Sequence, residues 1–353
     1  MTNPKALGIL AVSTLLSWGL YSLLPDYFGS IFLLVGINML LAVSLNLVNG
    51  ITGQFSLGHA GFMAVGAYAS AWLSTGSLAP LFNDPATAQL GLLLCLLVSG
   101  TLAGFAGWLV GLPSLRLKGD YLALVTLGFG EIIRVGILNT DALGGARGFI
   151  GIPPAGGALW VFGLTTLACL ACYRLMESSE GRALLSVRED EVAAAALGVD
   201  TTKYKVRAFV ASAAGAGLAG CLFAHTYGFL HPSSFGFAKS VEIVVMVVLG
   251  GMGSMSGALV AALLLTLLPE ALRPLKELTG TDLRMVIYSL ALVLLMLYRP
   301  QGLMGRDELW TKVKRWRERR GLPGGSLSNS RLSRRSAAPS PSGEGKKRGA
   351  GDE

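Results

Sequence analysis

The chain has 353 residues, of which 52% are hydrophobic and 14% charged, and its mean hydropathy is +0.58. A soluble protein of this length would carry about a quarter charged residues, so the composition excludes an ordinary soluble enzyme. The net charge of +8 lies wholly after residue 298, where 14 basic and 6 acidic residues follow. Basic residues beside a membrane segment mark its cytoplasmic side, so they favour a membrane surface over nucleic acid as the partner. We predict an all-α polytopic membrane protein.

Apolar runs recur along the chain at the length of membrane helices, since a bilayer core needs about 20 apolar residues in helical form. They cover 6–24, 28–48, 60–77, 89–112, 119–139, 158–176, 206–228, 239–250, 256–270 and 283–298. The runs 239–250 and 256–270 are too short to cross alone in contact with lipid, and they flank "GGMGSMSG". This pattern predicts either one long helix broken in its middle or two short helices that meet inside the protein.

The distribution of charge decides between these two interpretations. With Lys5 inside, six crossings place the charged segment 177–205 on the cytoplasmic side. The basic tail must lie on the same side, so an even number of crossings separates the two, and the short runs count as separate helices. We therefore predict about ten transmembrane segments, including short and broken helices, with an uncleaved first span and both termini in the cytoplasm.

A second glycine-rich interruption is "NLVNGITGQFSLGHAGFMAVGAY", at residues 46–68. Irregular polar backbone at membrane depth is stable only where it is buried in protein or lines a wet cavity. Discontinuous helices of this kind form the binding or passage sites of many transporters. An ordinary short loop between two spans remains the alternative.

The segment 174–207 holds six basic and six acidic residues in an otherwise apolar chain. Within it, "REDEVAAAALGVD" is rich in helix formers, and Gly198 is well placed to end a helix. The next residues, "TTKYK", predict the start of a second short helix with Thr201 or Thr202 as its N-cap. Two short amphipathic helices at the cytoplasmic face favour a docking surface over a merely solvated loop.

No motif for catalysis is present. The sequence has no GxxxxGK[ST] phosphate loop, and its three histidines do not have metal-ligand spacing with carboxylates or cysteines. Glu131 and Arg134 stand one helical turn apart and can neutralise each other, which gives little support to ion coupling. Glu242 is the other intramembrane candidate. We expect a transporter without an energy source or metal of its own.

The chain is similar to LivM-type permeases of branched-chain amino acid ABC importers over about residues 30–305. The resemblance is carried by "GQFSLGHAGFMAVGAY", "LRLKGDYLALVTLGFGEIIR", "GGARGFIGIP", "REDEVAAAALGVDTTKYKVRAFVASAAGAGLAG", "VVLGGMGSMSG" and "YRPQGLMG". It implies a heterodimer with a LivH-type permease, two cytoplasmic ATPases of the LivF and LivG type that bind ATP and Mg²⁺, and a periplasmic amino-acid-binding protein. It implies no cofactor bound by this chain and a place in the bacterial inner membrane.

The resemblance also implies residue roles. The residues expected to couple the permease to the ATPases are Glu189, Glu191, Ala193, Ala194 and Gly198. Those expected to line the translocation path are Asn46, Gly53, Gln54, Ser56, Gly58 and His59. Those expected to form the helix break are Gly250, Gly251, Gly253 and Ser254.

The expected organisation is a permease domain at 1–305, which contains the coupling loop 177–205, then a basic interfacial helix at 306–320 and a disordered tail at 321–353. The tail resembles nothing in the family. Two alternatives stay open for the function: a urea or amide ABC permease, which shares the fold, and an ion-coupled secondary transporter. A membrane scaffold would not need the glycine-broken spans.

Overall fold

In the computed structural model, the described residues are 4–115, 117, 119–273, 289–290, 293, 297–298 and 302–303. The expected interfacial helix 306–320, the tail 321–353 and most of the expected span 283–298 lie outside them.

Within the described residues the chain is almost entirely helical. The helices are α1 (Pro4–Leu23), α2 (Asp26–Asn46), α3 (His59–Thr75), α4 (Pro85–Ser114), α5 (Asp120–Leu138), α6 (Ala158–Glu177), α7 (Ser179–Glu189), α8 (Glu191–Ala196), α9 (Thr201–Tyr227), α10 (Phe237–Gly250) and α11 (Met255–Ala271). Two short strands, β1 (Phe149–Ile150) and β2 (Phe229–Leu230), pair antiparallel, with Phe149 opposite Leu230.

Six helical segments of the described chain are long and apolar enough to cross a membrane. They are Asp26–Ile51, Thr87–Ser114, Asp120–Leu138, Ala158–Glu177, Thr201–Tyr227 and Pro232–Gly250. Met255–Ala271 is apolar but shorter. The predicted class, an all-α polytopic membrane protein, is confirmed.

Helices α2, α3, α4 and α9 form the packed centre, and small residues let them approach closely. A Cβ on Gly66 of α3 would collide with the backbone of Gly217 in α9. The hydroxyl of Ser212 in α9 donates to the carbonyl of Ser44 in α2 (2.7 Å). Close contact of this kind replaces the hydrophobic effect as the cause of helix association in lipid. The small residues of α9 therefore pack against helices of the same chain.

The loops fall into two groups at opposite ends of the helices. One group contains the β1–β2 pair, and there Nδ1 of His225 hydrogen-bonds the carbonyl of Pro153 (2.9 Å). The other group contains residues 47–58, 177–200 and 251–254, which are the segments that the sequence singled out. This second end holds the candidate site.

Candidate functional site: the coupling segment and the helix breaks

The first helix break follows α2. The helix widens into a π-helical turn at Leu47–Ile51 and then gives way to irregular backbone until α3 begins at His59. Side chains satisfy the freed backbone groups: Oδ1 of Asn49 accepts from the N–H of Ser56 (3.1 Å), and the Thr52 hydroxyl donates to the Val48 carbonyl (2.6 Å). The break is thus held in one shape by its own polar residues.

The second break separates α10 from α11, so two helices occupy 237–271 and not one. Gly251 and Gly253 have φ angles of 104° and 91°, a left-handed conformation that side chains disfavour and glycine tolerates. Ser254 then caps α11, because its hydroxyl accepts from the N–H of Gly257 (3.2 Å).

The two breaks contact each other directly. The N–H of Gly253 donates to Oδ1 of Asn46 (2.9 Å), across 207 positions of sequence. A Cβ on Gly50 would collide with the backbone of Gly253, so the two main chains touch. The structure therefore brings Asn46 of the candidate path together with Gly253 of the second break at one junction.

The coupling segment, residues 177–205, consists of α7, α8 and the start of α9. Asp190 caps α8 by accepting from the N–H groups of Val192 (2.9 Å) and Ala193 (3.1 Å), and Gly198 ends the helix with a φ of 85°. The prediction of Thr201 or Thr202 as N-cap is wrong. Asp200 caps α9 by accepting from the N–H of Lys203 (3.1 Å), and the expected second short helix is the first turn of the long α9.

Arg188 joins the coupling segment to the first break. Its Nη1 donates to the carbonyl of Gly50 (2.9 Å), and its Nη2 pairs with Oε1 of Glu189 (2.8 Å). Gly53 lies against the aliphatic stem of Arg188, where an added Cβ would stand 2.7 Å from Cγ. A Cβ on Gly253 would stand 3.2 Å from Nη1, so the guanidinium lies beside both breaks.

The candidate coupling residues divide between an inner and an outer face. Glu191 faces inward and pairs with the buried Lys205 (Nζ to Oε1, 2.6 Å), and Ala194 is buried. Glu189 and Ala193 are exposed. The outer face of α8 also carries two large apolar side chains, Val192 and Leu197, which are 72% and 85% exposed.

Three residues that sequence reasoning missed, Arg188, Leu197 and Lys205, are therefore central to this site. Leu197 had a detectable signal, since it is a large apolar residue in a segment otherwise rich in charged residues and alanine. Arg188 and Lys205 had none, because their partners lie in other segments.

Gly58 and His59 of the candidate path lie among the membrane helices. Nε2 of His59 is 2.9 Å from the Ser44 hydroxyl, and His59 is buried. Gly58 packs against the carbonyl of Thr126, where a side chain would collide. Gln54 lies nearer the coupling segment and lines a cavity together with Arg188.

Two ion pairs lie in the described membrane helices α5 and α10. Nε of Arg134 lies 2.6 Å from Oε2 of Glu131, which confirms the expected neutralisation, and Lys239 pairs with Glu242 (3.2 Å). Lys239 also donates to Oδ1 of Asn38 (3.1 Å). Among the described residues, no group of three or more His, Cys, Asp or Glu is placed to hold a metal ion.

Comparison with known proteins places this arrangement in a family. Residues 27–298 match the model of the "Branched-chain amino acid transport system / permease component" family. The high-affinity branched-chain amino acid transport system permease protein LivM of Escherichia coli K12 is 37% identical over 313 residues, covering 79% of this chain and 70% of that one. The corresponding permease protein LivH of the same strain is 27% identical over 289 residues, covering 76% and 92%.

A probable LivM permease of Methanocaldococcus jannaschii is 24% identical over 330 residues, covering 81% of this chain and 95% of that one. No solved structure matches the chain. The family match covers most of the chain and includes both helix breaks and the coupling segment. The chain therefore belongs to the family of permease components of branched-chain amino acid transport systems.

Proposed function

We propose that this chain is the membrane-spanning permease subunit of an ATP-driven ABC importer for branched-chain amino acids, and that it forms part of the translocation path in the bacterial inner membrane. The observation that carries the proposal is the position of α8. Its exposed apolar side chains stand at the surface, while Arg188 of the same segment is hydrogen-bonded to the first helix break and lies beside the second. The surface on which the ATPases would act is thus connected to the helix breaks of the membrane helices.

In this mechanism the ATPase subunits bind the outer face of α8, with Val192 and Leu197 as the apolar anchors and Glu189 beside them. The Glu191–Lys205 pair fixes α8 to α9, so force on α8 reaches the membrane helices as a rigid displacement. The helix breaks change conformation before the regular helices do, because their irregular backbone has fewer main-chain hydrogen bonds to break. Their rearrangement opens or closes the path in step with ATP hydrolysis.

The partners follow from the same proposal. Similarity to both LivM and LivH sequences supports a pair of related permease subunits, with a LivH-type chain as the second member. ATP and Mg²⁺ are bound by two ATPases of the LivF and LivG type, and a periplasmic binding protein delivers the amino acid. This chain supplies the passage and the docking surface, and contributes no catalytic group.

We further propose ten crossings with both termini in the cytoplasm. The grouping of loops supports this topology, because α10 and α11 each run from one group to the other. The permease domain at 1–305 is part of the same proposal, and the segments expected at 306–320 and 321–353 lie outside the described residues.

Thiol labelling tests the sidedness. Ser178→Cys and Ser233→Cys are made singly, in a chain whose native cysteines are replaced, because the two positions lie in opposite groups of loops. An impermeant thiol reagent should label the Ser178→Cys variant only from the cytoplasm and the Ser233→Cys variant only from outside. Labelling of both variants from the same side would contradict the proposed topology.

Uptake by proteoliposomes tests the function. The full complex with its binding protein should import leucine, isoleucine and valine only when ATP is supplied to the ATPases, and a proton uncoupler should not stop uptake. Uptake that collapses with the uncoupler would favour the secondary transporter. Uptake of urea in preference to leucine would overturn the substrate assignment.

A further inference from the structure

A groove of about 710 Å³ runs along the outside of the protein between α4 and the first half of α9. Lys203 and Arg207 line one end of it, near the start of α9, and its apolar part continues along α9 to Ala214. On α4 the rim is formed by Trp108 and Leu112, which are 46% and 41% exposed. The groove therefore begins among charged side chains and ends among apolar ones.

Small residues shape the apolar part of the groove. Helices α4 and α9 pack so closely beneath it that a Cβ on Gly107 would stand 2.5 Å from the Cβ of Ala213. Ala211 and Ala214 line the groove beside this contact, and their small side chains leave room there. Both helices are long and apolar enough to cross a membrane, so this part faces hydrocarbon. An acyl chain suits such a surface, because lipid tails are as apolar as its lining.

The charged end lies at the depth of the membrane interface. With a rise of 1.5 Å per residue, Arg207 lies about 9 Å from the start of α9, and Trp108 lies about 9 Å from the end of α4. Tryptophan and basic side chains concentrate at this depth, where lipid head groups stand. The coupling segment lies at the same end of α9, so the proposed topology makes this end cytoplasmic.

The charges of the groove favour an anion. Lys203 and Arg207 stand one helical turn apart, and within the described part of the chain Lys203 belongs to none of the ion pairs. Arg207 directs Nη1 to Oε1 of the exposed Glu180 (3.2 Å), which uses one of the five donors of its guanidinium. Oδ1 of Asp200, an acid in the lining, accepts from the backbone N–H of Lys203 (3.1 Å). The cationic donors that stay available match a phosphate group.

We propose that this groove binds an anionic phospholipid of the cytoplasmic leaflet, with its phosphate at Lys203 and Arg207 and one acyl chain along Ala211 and Ala214. Basic pockets between membrane helices on the cytoplasmic side bind lipid head groups of this kind. A helix of the second permease is the other candidate occupant, but the two basic side chains favour an anion over an apolar helix. The choice of leaflet rests on the proposed function. The head group contacts the first two turns of α9, which connect the coupling segment with the membrane helices.

Lipid binding by the purified permease–ATPase complex tests the proposal. The delipidated complex is titrated with phosphatidylglycerol or with phosphatidylcholine of the same acyl chains, and bound lipid is counted by native mass spectrometry. We expect at least one phosphatidylglycerol to bind about tenfold or more tightly than phosphatidylcholine. The double variant Lys203→Gln, Arg207→Gln should weaken this site by about tenfold or more, because each basic side chain at a membrane surface contributes about fivefold.

A matched double variant controls for the loss of charge. Arg174→Gln, Arg182→Gln also removes two exposed cations, near the end of α6 and in α7, and neither residue lines the groove. It should bind phosphatidylglycerol as the wild type does.

A second groove variant leaves the charges in place. Ala211→Trp fills the apolar part of the groove from an exposed position, so the protein should fold while the acyl chain is excluded. Phosphatidylglycerol binding should again fall by about tenfold or more. Ala171→Trp is its control, since Ala171 is exposed on α6 outside the groove, and binding should not change.

The proposal is overturned if the two lipids bind equally, or if both groove variants keep the phosphatidylglycerol site. It is also overturned if Ala211→Trp releases the second permease from the complex, because a protein helix would then occupy the groove. ATP-driven leucine uptake is measured in parallel in proteoliposomes that contain phosphatidylglycerol. Uptake without a lipid preference rejects the groove site alone, whereas a lipid preference without uptake rejects the proposed function and retains the lipid site.

Discussion

Nη1 of Arg188 donates a 2.9 Å hydrogen bond to the main-chain carbonyl of Gly50, although 138 positions separate the two residues. This bond joins the end of α7 to the π-helical turn after α2. Both groups lie where a regular helix ends, so the bond connects the coupling segment directly to the end of α2. In the proposed mechanism, motion of the coupling segment reaches the membrane helices through this contact.

Replacing Arg188 by Gln should uncouple hydrolysis from transport. A charge-assisted hydrogen bond contributes about 1.5–3 kcal/mol, so its loss should lower leucine uptake per ATP hydrolysed by about tenfold or more. The ATPases should still co-purify, because the outer face of α8 is unchanged. Arg182→Gln is the control, since Arg182 is exposed and donates only to the carbonyl of Glu177 (3.2 Å) in the described structure. Normal uptake per ATP in the Arg188 variant would remove this contact from the mechanism.

Replacing Leu197 by Asp should release the ATPases. The side chain is 85% exposed and apolar, and burying a charge in a docking pocket without a partner costs several kcal/mol. Pull-down of the ATPases through the tagged permease should fall by about 100-fold, with membrane insertion unchanged. Leu197→Met keeps the apolar surface and should retain them. Equal recovery with both variants would place the docking surface elsewhere.

The Glu191–Lys205 pair lends itself to a double-mutant cycle. Glu191→Gln leaves the buried Lys205 ammonium without its carboxylate, so we expect a loss of stability of about 1–3 kcal/mol in detergent. Lys205→Met alone should cost a similar amount. The double variant should recover at least half of the summed loss, as judged by thermal unfolding followed by gel filtration. Strictly additive losses would mean that the two side chains do not interact.

The close packing of α3 and α9 should not tolerate an added methyl group. A Cβ on Gly220 would collide with the carbonyl of Met63, so Gly220→Ala should destabilise the protein by about 1–3 kcal/mol. Gly136→Ala is the matched control, since no atom lies within 4 Å of the position its Cβ would take. The melting temperature should drop for the first variant only. An unchanged melting temperature would show that the helices can separate without loss.

Local patterns predicted the parts of this structure that depend on neighbours in sequence. The end of α8 at Gly198, the pairing of Glu131 with Arg134 and the membrane class followed from spacing and composition. The N-cap of α9 also depends on residues close in sequence, but the wrong residue was predicted. The carboxylate of Asp200, one residue before Thr201, accepts the hydrogen bond from the N–H of Lys203 in place of a threonine hydroxyl. Contacts such as Gly253 with Asn46 could not be predicted, because periodicity carries no information about which loops share an end.

The inward orientation of Glu191 also escaped prediction. In sequence it begins an exposed acidic helix, and only the position of Lys205 in the first turns of α9 makes it an internal partner. The sequence pattern therefore identified the segment correctly as charged and helical, while the exposure of Val192 and Leu197 beside its charged residues is a finding of the structure.

The exposed pair Val192 and Leu197 has a consequence for biogenesis. Before the ATPases arrive, both side chains stand in water on a short helix, the kind of surface that chaperones and proteases recognise. A permease made in excess of its ATPases should therefore be degraded faster than one in a complete complex. Pulse-chase labelling should give a shorter half-life when the ATPases are absent, and the less apolar Leu197→Ser should lengthen it. If these two side chains bind the ATPases as proposed, they would then also keep the amounts of the subunits in proportion.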